Sequence, residues 1–278
     1  MRKGLVMEGG AMRGMFTCGI LDVFMERGIT FDGAVGVSAG ATFGCNIKSG
    51  QHGRALRYNK RYCADPRYHS LSSLIKTGDI YNVEFCYDEL PYKLDVWDIE
   101  AFQKNPMEFY CVVTDVNTGK PAYHQLTTGD KKDIEWIRAS ASMPLVSRPV
   151  HIDGGVYLDG GISDSIPLKF MEDLGYDKIL VIETQPIDYV KGEQKLMPLA
   201  KIMLRGYPNM IKCMAERHIM YNEEKRYIRE KENRGEVMVI RPDAPLNISP
   251  VEKNEKELER VYEHGRAKAV EFLSMGQW

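Results

Sequence analysis

Two short apolar runs near the start of the chain, Lys3-Gly-Leu-Val-Met7 and Gly33-Ala-Val-Gly-Val37, each break off into a glycine-rich turn that leads into a helix. No other feature of the sequence constrains the fold as strongly. Between the runs, Phe16, Gly19, Ile20, Val23 and Phe24 fall at the i, i+3, i+4, i+7, i+8 spacing of a buried helix face, and Gly28 stands where such a helix would end. After the second run come Ser38 and the small residues Ala39, Gly40, Ala41, Thr42 and Gly44, which let a helix start tightly against a sheet. The order strand, glycine loop, helix, strand, sharp turn, helix favours parallel strands with helices on their faces. The expected class is α/β with a mostly parallel central sheet.

Further strands are expected at 108–116 and 121–126, joined by the hairpin-type turn Asn117-Thr-Gly-Lys120, and at 178–184 and 236–242. A helical stretch around Asp133–Ser142 ends at Met143-Pro144. Ser249-Pro250-Val251-Glu252 reads as a capping box opening a last helix that carries Leu258, Val261, Tyr262 and Phe272. With no internal repeat or low-complexity linker, residues 1–278 read as one domain.

Gly36-Val37-Ser38-Ala39-Gly40 has the spacing of a nucleophile elbow, in which a serine is held on a strand-to-helix turn. The N–H of Ala39, at the helix start, would point towards charge developing near Ser38. Gly9-Gly10-Ala11-Met12-Arg13-Gly14 likewise leaves a strand and enters a helix, so its backbone N–H groups would cradle an anion, either a phosphate or an oxyanion. Its spacing is neither that of a dinucleotide loop nor that of a Walker loop. Arg13 adds positive charge nearby.

A serine needs a base. The histidines are His52, His69, His124, His151, His218 and His264, and none stands in a late loop beside an acid. Asp-Gly-Gly occurs twice in residues 149–168. Asp153 lies between Val150-His-Ile152 and Val156-Tyr-Leu158, as a tight hairpin turn requires. Asp159 comes where the returning strand ends, and Gly160 and Gly161 let the loop fold closely over a neighbouring site. Asp159 is therefore the acid expected beside Ser38.

Glu8-Gly-Gly-Ala-Met-Arg-Gly14, Gly36-Val-Ser-Ala-Gly40, Ala139-Ser-Ala-Ser-Met-Pro144 and Tyr157-Leu-Asp-Gly-Gly161 resemble, in order and spacing, the patatin-like phospholipases. The resemblance implies a three-layer α/β/α sandwich and a lipid acyl hydrolase using a Ser38–Asp159 dyad without cofactor or metal. It implies an oxyanion loop of Gly9, Gly10 and Ala11, with Arg13 and Gly14 beside them. The family's loop usually begins with aspartate and has a third glycine, where this chain has Glu8 and Ala11; alanine is strained there if the position needs positive φ. The motif core covers about 4–186, and about 187–278 is similar to the helical and strand extension of a bacterial branch of the family.

Within 191–235, eleven Lys/Arg face six Asp/Glu, interleaved with Met197, Met203, Met210, Met214 and Met220. Met210, Met214, Tyr221 and Ile228 share one helical face. The segment reads as a subdomain packed on the sheet, or as a basic lip against a lipid or an anionic membrane surface. The net charge of −2 does not point to nucleic acid, and six scattered cysteines without C-x-x-C spacing fit a reducing compartment. The N-terminus has no apolar h-region and no run approaches a spanning helix, so a cytoplasmic protein, peripheral at a membrane at most, is expected. Two other readings stand open: a Ser-His acyltransferase or conventional α/β-hydrolase, and a non-catalytic lipid- or anion-binding homologue.

Overall fold

The computed structural model describes residues 1–276 and 278. Eight strands form one sheet: β1 (Lys3–Met7), β2 (Gly33–Val37), β3 (Glu108–Asp115), β4 (Pro121–Leu126), β5 (Val150–Ile152), β6 (Gly155–Asp159), β7 (Lys178–Ile182) and β8 (Val237–Ile240). Their order is β5-β6-β3-β2-β1-β7-β8, with β4 also paired to β3. The run β3-β2-β1-β7-β8 is parallel, as the strand-loop-helix opening requires. β4, β5 and β6 are antiparallel additions at the β3 side.

The helices are α1 (Gly14–Glu26), α2 (Ala39–Ser49), α3 (Arg54–Tyr62), α4 (Leu71–Thr77), α5 (Ile99–Lys104), α6 (Lys131–Ser140), α7 (Leu168–Asp173), α8 (Met197–Met203), α9 (Pro208–Asn233) and α10 (Glu255–Ser274). A π-helical stretch, Phe85–Leu94, precedes α5. Side chains of β1 alternate between two cores. Leu5 and Met7 pack with Phe16, Phe24, Phe43 and Leu258 from α1, α2 and α10. Val6 packs on the other face with Leu168, Met171, Tyr221 and Ile228 from α7 and α9. Helices cover both faces of the sheet, giving three layers, and strands buried on both faces read as continuous apolar runs.

The register places the two expected catalytic positions together. β4 occupies one edge of β3 along 109–114, so β2 and β6 share the other edge. Val37, the last residue of β2, pairs with Val112, and Asp159, the last residue of β6, pairs with Val113. The parallel strand and the antiparallel one thus run towards each other along β3 and stop at adjacent positions.

Chain beyond the motif core is integral to these layers. β8 extends the sheet beside β7, and α10 packs on α1 so closely that a Cβ on Gly265 would lie 2.0 Å from the Phe16 carbonyl oxygen. The expected capping box at 249–252 does not open a helix. The Glu252 carboxylate accepts the N–H groups of Lys253 and Asn254, each at 2.9 Å, and the Ser249 hydroxyl accepts the N–H of Val251 rather than that of Glu252. α10 begins at Glu255, capped by Asn254, whose side chain accepts the Lys256 N–H at 3.0 Å. The strand expected at 178–184 ends at Ile182, releasing Glu183 and Thr184 for contacts near the site.

Candidate active site

Ser38 is the single residue between β2 and α2, with φ 54° and ψ −117°, a conformation disfavoured for an L residue. The neighbouring glycines permit it by close approach. A Cβ on Gly36 would lie 2.3 Å from the Gly40 carbonyl oxygen, and one on Gly40 would lie 2.3 Å from that of Met7. The Ser38 N–H donates to Ser140 Oγ at 3.0 Å, and its carbonyl accepts the Thr42 hydroxyl at 3.1 Å. The backbone of the elbow is pinned on both sides.

Asp159 ends β6 facing this turn and is 1 % exposed. Its N–H donates to the Ser142 carbonyl at 2.9 Å, and its own carbonyl accepts the Thr114 hydroxyl at 2.7 Å. Oδ1 accepts the Gly161 N–H at 2.8 Å, while Oδ2 is buried with no hydrogen-bond partner. Burial pushes the carboxyl above its ordinary range; the Ser38 hydroxyl, the Arg217 charge and the Gly161 N–H counter this in part. The Ser38 hydroxyl acts across a gap that falls short of a formed hydrogen bond. Gly160 packs its backbone on β3, where a Cβ would lie 2.2 Å from the Val112 carbonyl oxygen.

The glycine loop completes the site. Gly10 has φ 155° and Ala11 has φ 48°, so alanine does occupy the strained conformation. Among the described residues, the N–H groups of Gly9, Gly10 and Ala11 donate to no protein acceptor. The loop is held from below by Glu8, whose buried carboxylate accepts the Thr184 N–H and the Tyr221 hydroxyl, the latter at 2.7 Å. Thr184 Oγ1 donates to the Gly9 carbonyl at 3.0 Å and accepts from Arg13 Nε at 3.3 Å.

Gly9, Gly10, Ala11, Arg13, Ser38, Ala39, Asp159 and Gly161 all line one cavity of about 510 Å³. Gly14 does not. Its place is structural, since a Cβ there would meet the Phe43 ring at 2.8 Å and Ala39 Cβ at 3.0 Å where α1 crosses α2. No histidine lines the cavity among the described residues. His52 is hydrogen-bonded to Glu26 at 2.6 Å, His124 stacks on Trp136, and His264 packs edge-on to Phe16. Asp153 is the hairpin turn between β5 and β6, with φ 52° and a salt bridge to Lys132.

The family model for patatin-like phospholipase matches residues 5–171. The chain belongs to that family. A second model, for a domain of unknown function, matches residues 207–275. This patatin-like chain is 27 % identical to an Escherichia coli protein, the uncharacterized YjjU, over 98 % of its own length and 77 % of that protein's. It is 28 % identical to the lysophospholipase nte1 of Aspergillus fumigatus over 66 % of its own length, spanning only 12 % of that longer protein. Among solved structures, VipD from Legionella pneumophila is matched with a TM-score of 0.49 at 14 % identity, covering 99 % of this chain and 67 % of that one.

Several residues at the patatin-like site carry no signal in the sequence. Thr184 is an ordinary hydroxyl until the fold brings it to the loop, and Ser140, although it stands in the Ala139–Pro144 motif, shows no tie to the elbow until the fold brings it there. Arg217 donates from Nε to the Gly161 carbonyl at 2.6 Å, and Lys191 lies with its Nζ 4.3 Å over the Tyr221 ring. Both were visible only as members of a basic segment. Met210, Met214, Tyr221 and Ile228 are buried, so the face they share packs into the protein.

Proposed function

We propose that this protein hydrolyses acyl esters of lipids through an acyl-Ser38 intermediate, with Asp159 as the base of a Ser-Asp dyad. The observation that carries the reading is the pairing, in one cavity without histidine, of a strained elbow serine and a buried carboxylate with an unpartnered oxygen. The Ser38 hydroxyl proton passes to Asp159 Oδ2 as Oγ bonds the ester carbonyl carbon. The carbonyl oxygen becomes an oxyanion facing the N–H groups of Gly9, Gly10, Ala11 and Ala39. As the C–O bond to the alcohol breaks, Asp159 returns the proton to the leaving oxygen. Asp159 then takes a proton from water, the resulting hydroxide attacks the acyl carbon, and the proton returns to Ser38 as the acid leaves.

A carboxylate is a weaker base than imidazole. Burial narrows that gap by raising the Asp159 pKa, and donors on the oxyanion supply the rest, about 10²–10³ in rate for each well-placed one. The apolar side chains of Phe43, Leu90, Trp97, Ile134 and Ile137 line the same cavity and suit an acyl chain. Family membership supports a lipid substrate.

Contact with an anionic membrane belongs to the same reading. Leu196, Leu199, Ile202 and Met203 are exposed on and before α8, beside Lys195, Lys201 and Arg205. Apolar anchors interleaved with cations suit an anionic lipid interface. No helix among the described residues is long and apolar enough to cross a membrane. Free thiols at Cys18, Cys45 and Cys111 suit a reducing compartment such as the cytoplasm.

Esterase activity on p-nitrophenyl butyrate and longer acyl homologues tests the reading. Ser38→Ala and Asp159→Asn are expected to abolish turnover, while each histidine-to-alanine variant that folds retains it. Full activity in Ser38→Ala, or an essential histidine, would overturn the dyad.

A further inference from the structure

One face of α9 holds both halves of the site. Arg217, Tyr221, Glu224 and Lys225 fall at the i, i+4, i+7, i+8 spacing that brings side chains to one side of a helix. Arg217 Nε donates to the Gly161 carbonyl at 2.6 Å, and Ser165 Oγ donates to the same carbonyl at 2.8 Å. The Glu224 carboxylate accepts the N–H groups of Ser165 and Ile166, at 3.2 and 3.1 Å. Gly161 is thus pinned through its carbonyl while its N–H holds Asp159 Oδ1 at 2.8 Å. Tyr221 and Lys225 reach the other half. The Tyr221 hydroxyl donates to Glu8 Oε1 at 2.7 Å, and Lys225 Nζ donates to Glu183 Oε2 at 2.6 Å. Glu8 stands at the start of the glycine loop, and Glu183 stands next to Thr184.

The bonds around Thr184 carry a direction. Glu8 Oε2 accepts the Thr184 N–H, which seats that residue against the loop. Thr184 Oγ1 has one proton to give. Arg13 Nε donates to this oxygen at 3.3 Å, so the proton is left for the Gly9 carbonyl 3.0 Å away. A trans peptide is planar, and its C=O and N–H point to opposite sides. Holding the Gly9 carbonyl towards Thr184 therefore turns the Gly10 N–H away from it. That N–H has no protein acceptor among the described residues, and Gly10 lines the cavity. A Gly-Gly peptide has no side chain to restrain it, so its plane depends on such outside bonds. The links of the chain from Tyr221 through Glu8 to Thr184 are 2 %, 2 % and 0 % exposed, where water does not compete for them.

We propose that Tyr221 is a positioning residue of the oxyanion loop, acting through Glu8 and Thr184 to aim the Gly10 N–H at the oxyanion. This inference rests on the hydrolase reading above. Arg217 and Glu224, on the same face of α9, hold the loop of the base, so one helix sets donor and base relative to each other. α9 lies beyond the 5–171 family match and within the 207–275 domain of unknown function. The proposal gives that domain a role at the reaction centre: its first long helix is the frame on which the two catalytic loops are aligned.

The test separates the oxyanion from the ground state with two inhibitors, 1,1,1-trifluorodecan-2-one and decan-2-one. Ser38 Oγ adds to the carbonyl carbon of the fluoroketone, the π pair moves to oxygen, and the serine proton passes to Asp159, leaving an oxyanion at the loop. Decan-2-one lacks the electron-withdrawing fluorines and stays a ketone. In Tyr221→Phe and in Thr184→Val, kcat/KM for p-nitrophenyl octanoate is expected to fall at least about 10-fold, part of the 10²–10³ that one well-placed donor supplies. The fluoroketone KI should rise by the same factor and that of decan-2-one by less than about threefold. Thr184→Ser, which keeps the hydroxyl, should stay within about threefold of wild type on every measure. Glu8→Asp, one methylene too short to span Thr184 and Tyr221, should cost at least about 10-fold alone but less than about threefold further in Tyr221→Phe. If Tyr221→Phe does not fold, Glu8→Asp, which loses the same bond, replaces it in both inhibitor comparisons. Equal weakening of both inhibitors would make Tyr221 a structural residue and overturn the proposal. So would equal penalties for Glu8→Asp in the two backgrounds. A wild type that hydrolyses no ester removes the hydrolase reading and the proposal with it, whereas an active wild type matched by Tyr221→Phe removes the proposal alone.

Discussion

Replacing Asp159 by asparagine separates chemistry from stability, because the structure gives the two effects opposite signs. The amide has the shape of the carboxylate, and its oxygen can keep the 2.8 Å bond from the Gly161 N–H. On the other side, an NH2 group takes the place of the unpartnered Oδ2. It cannot accept the Ser38 proton, so the loss is that of a general base, about 10²–10⁴ in kcat, or roughly 3–5 kcal/mol of barrier. Stability should move the other way. Burial holds the folded-state pKa of Asp159 above its unfolded value, so the native form binds the proton more tightly and wild-type stability falls as pH rises through the window between the two values. Asparagine carries no such penalty. At pH 7.5, Asp159→Asn should therefore melt at or above the wild-type temperature, and its advantage should shrink as the pH falls through the raised pKa towards the unfolded value. Circular-dichroism melts at pH 4.5 and 7.5, beside p-nitrophenyl butyrate kinetics, measure both. A variant that is inactive but destabilised by more than about 2 kcal/mol would make Asp159 a structural residue. One retaining a tenth of wild-type kcat would remove it as the base.

Other outcomes follow from the same structure. Wild-type kcat/KM should rise with pH along an acid limb set by Asp159 ionising above the ordinary carboxylate range, and no variant of the six histidines should remove that limb. Lys225→Met strands Glu183, which is 1 % exposed and bonded to Lys225 Nζ at 2.6 Å, although Arg241 still bonds it at 2.8 Å. A loss of about 3 kcal/mol is expected in urea unfolding at pH 7, shrinking at pH 5 as the freed carboxyl takes a proton. Gly265→Ala forces a Cβ to 2.0 Å from a backbone oxygen of α1, so α10 must shift; the cost should be several kcal/mol, against about none for Gly192→Ala, which has open space. Ala11→Gly relieves a residue at φ 48° and should raise stability by about 0.5 kcal/mol without lowering kcat. Ile202→Asp should weaken binding to phosphatidylglycerol vesicles in sedimentation assays, and added salt should weaken that of the wild type.

What the sequence disclosed followed the range of the interactions involved. The strand–loop–helix–strand–elbow opening is written in local periodicity and glycine placement, and the structure repeats it with both strands at the expected residues and the helix ends within a residue or two. Asp159 was separable from Asp153 because a hairpin turn and a strand end have different neighbours in the chain. The capping box at 249–252 failed to open a helix because the Ser249 hydroxyl binds the nearer Val251 amide and the Glu252 carboxylate those of residues 253 and 254, with Asn254 standing immediately before a stretch of good helix formers. Residues 51–107 resisted reading, since the π-helical stretch at Phe85–Leu94 contains Pro91 and matches no regular period. The cations at the cavity were hidden for another reason. Arg217 meets Gly161 across 56 positions and Tyr221 meets Glu8 across 213, and no local pattern marks a partner at such a distance.

Covalent trapping tests the central claim most directly. The protein is treated with a fluorophosphonate and the adduct is located by peptide mass spectrometry, for wild type and for Asp159→Asn. The expected result is a single phosphonylated residue, Ser38, formed at least about 100-fold more slowly in Asp159→Asn. Labelling at another serine, or labelling of Ser38 at the wild-type rate when Asp159 is replaced, would contradict it.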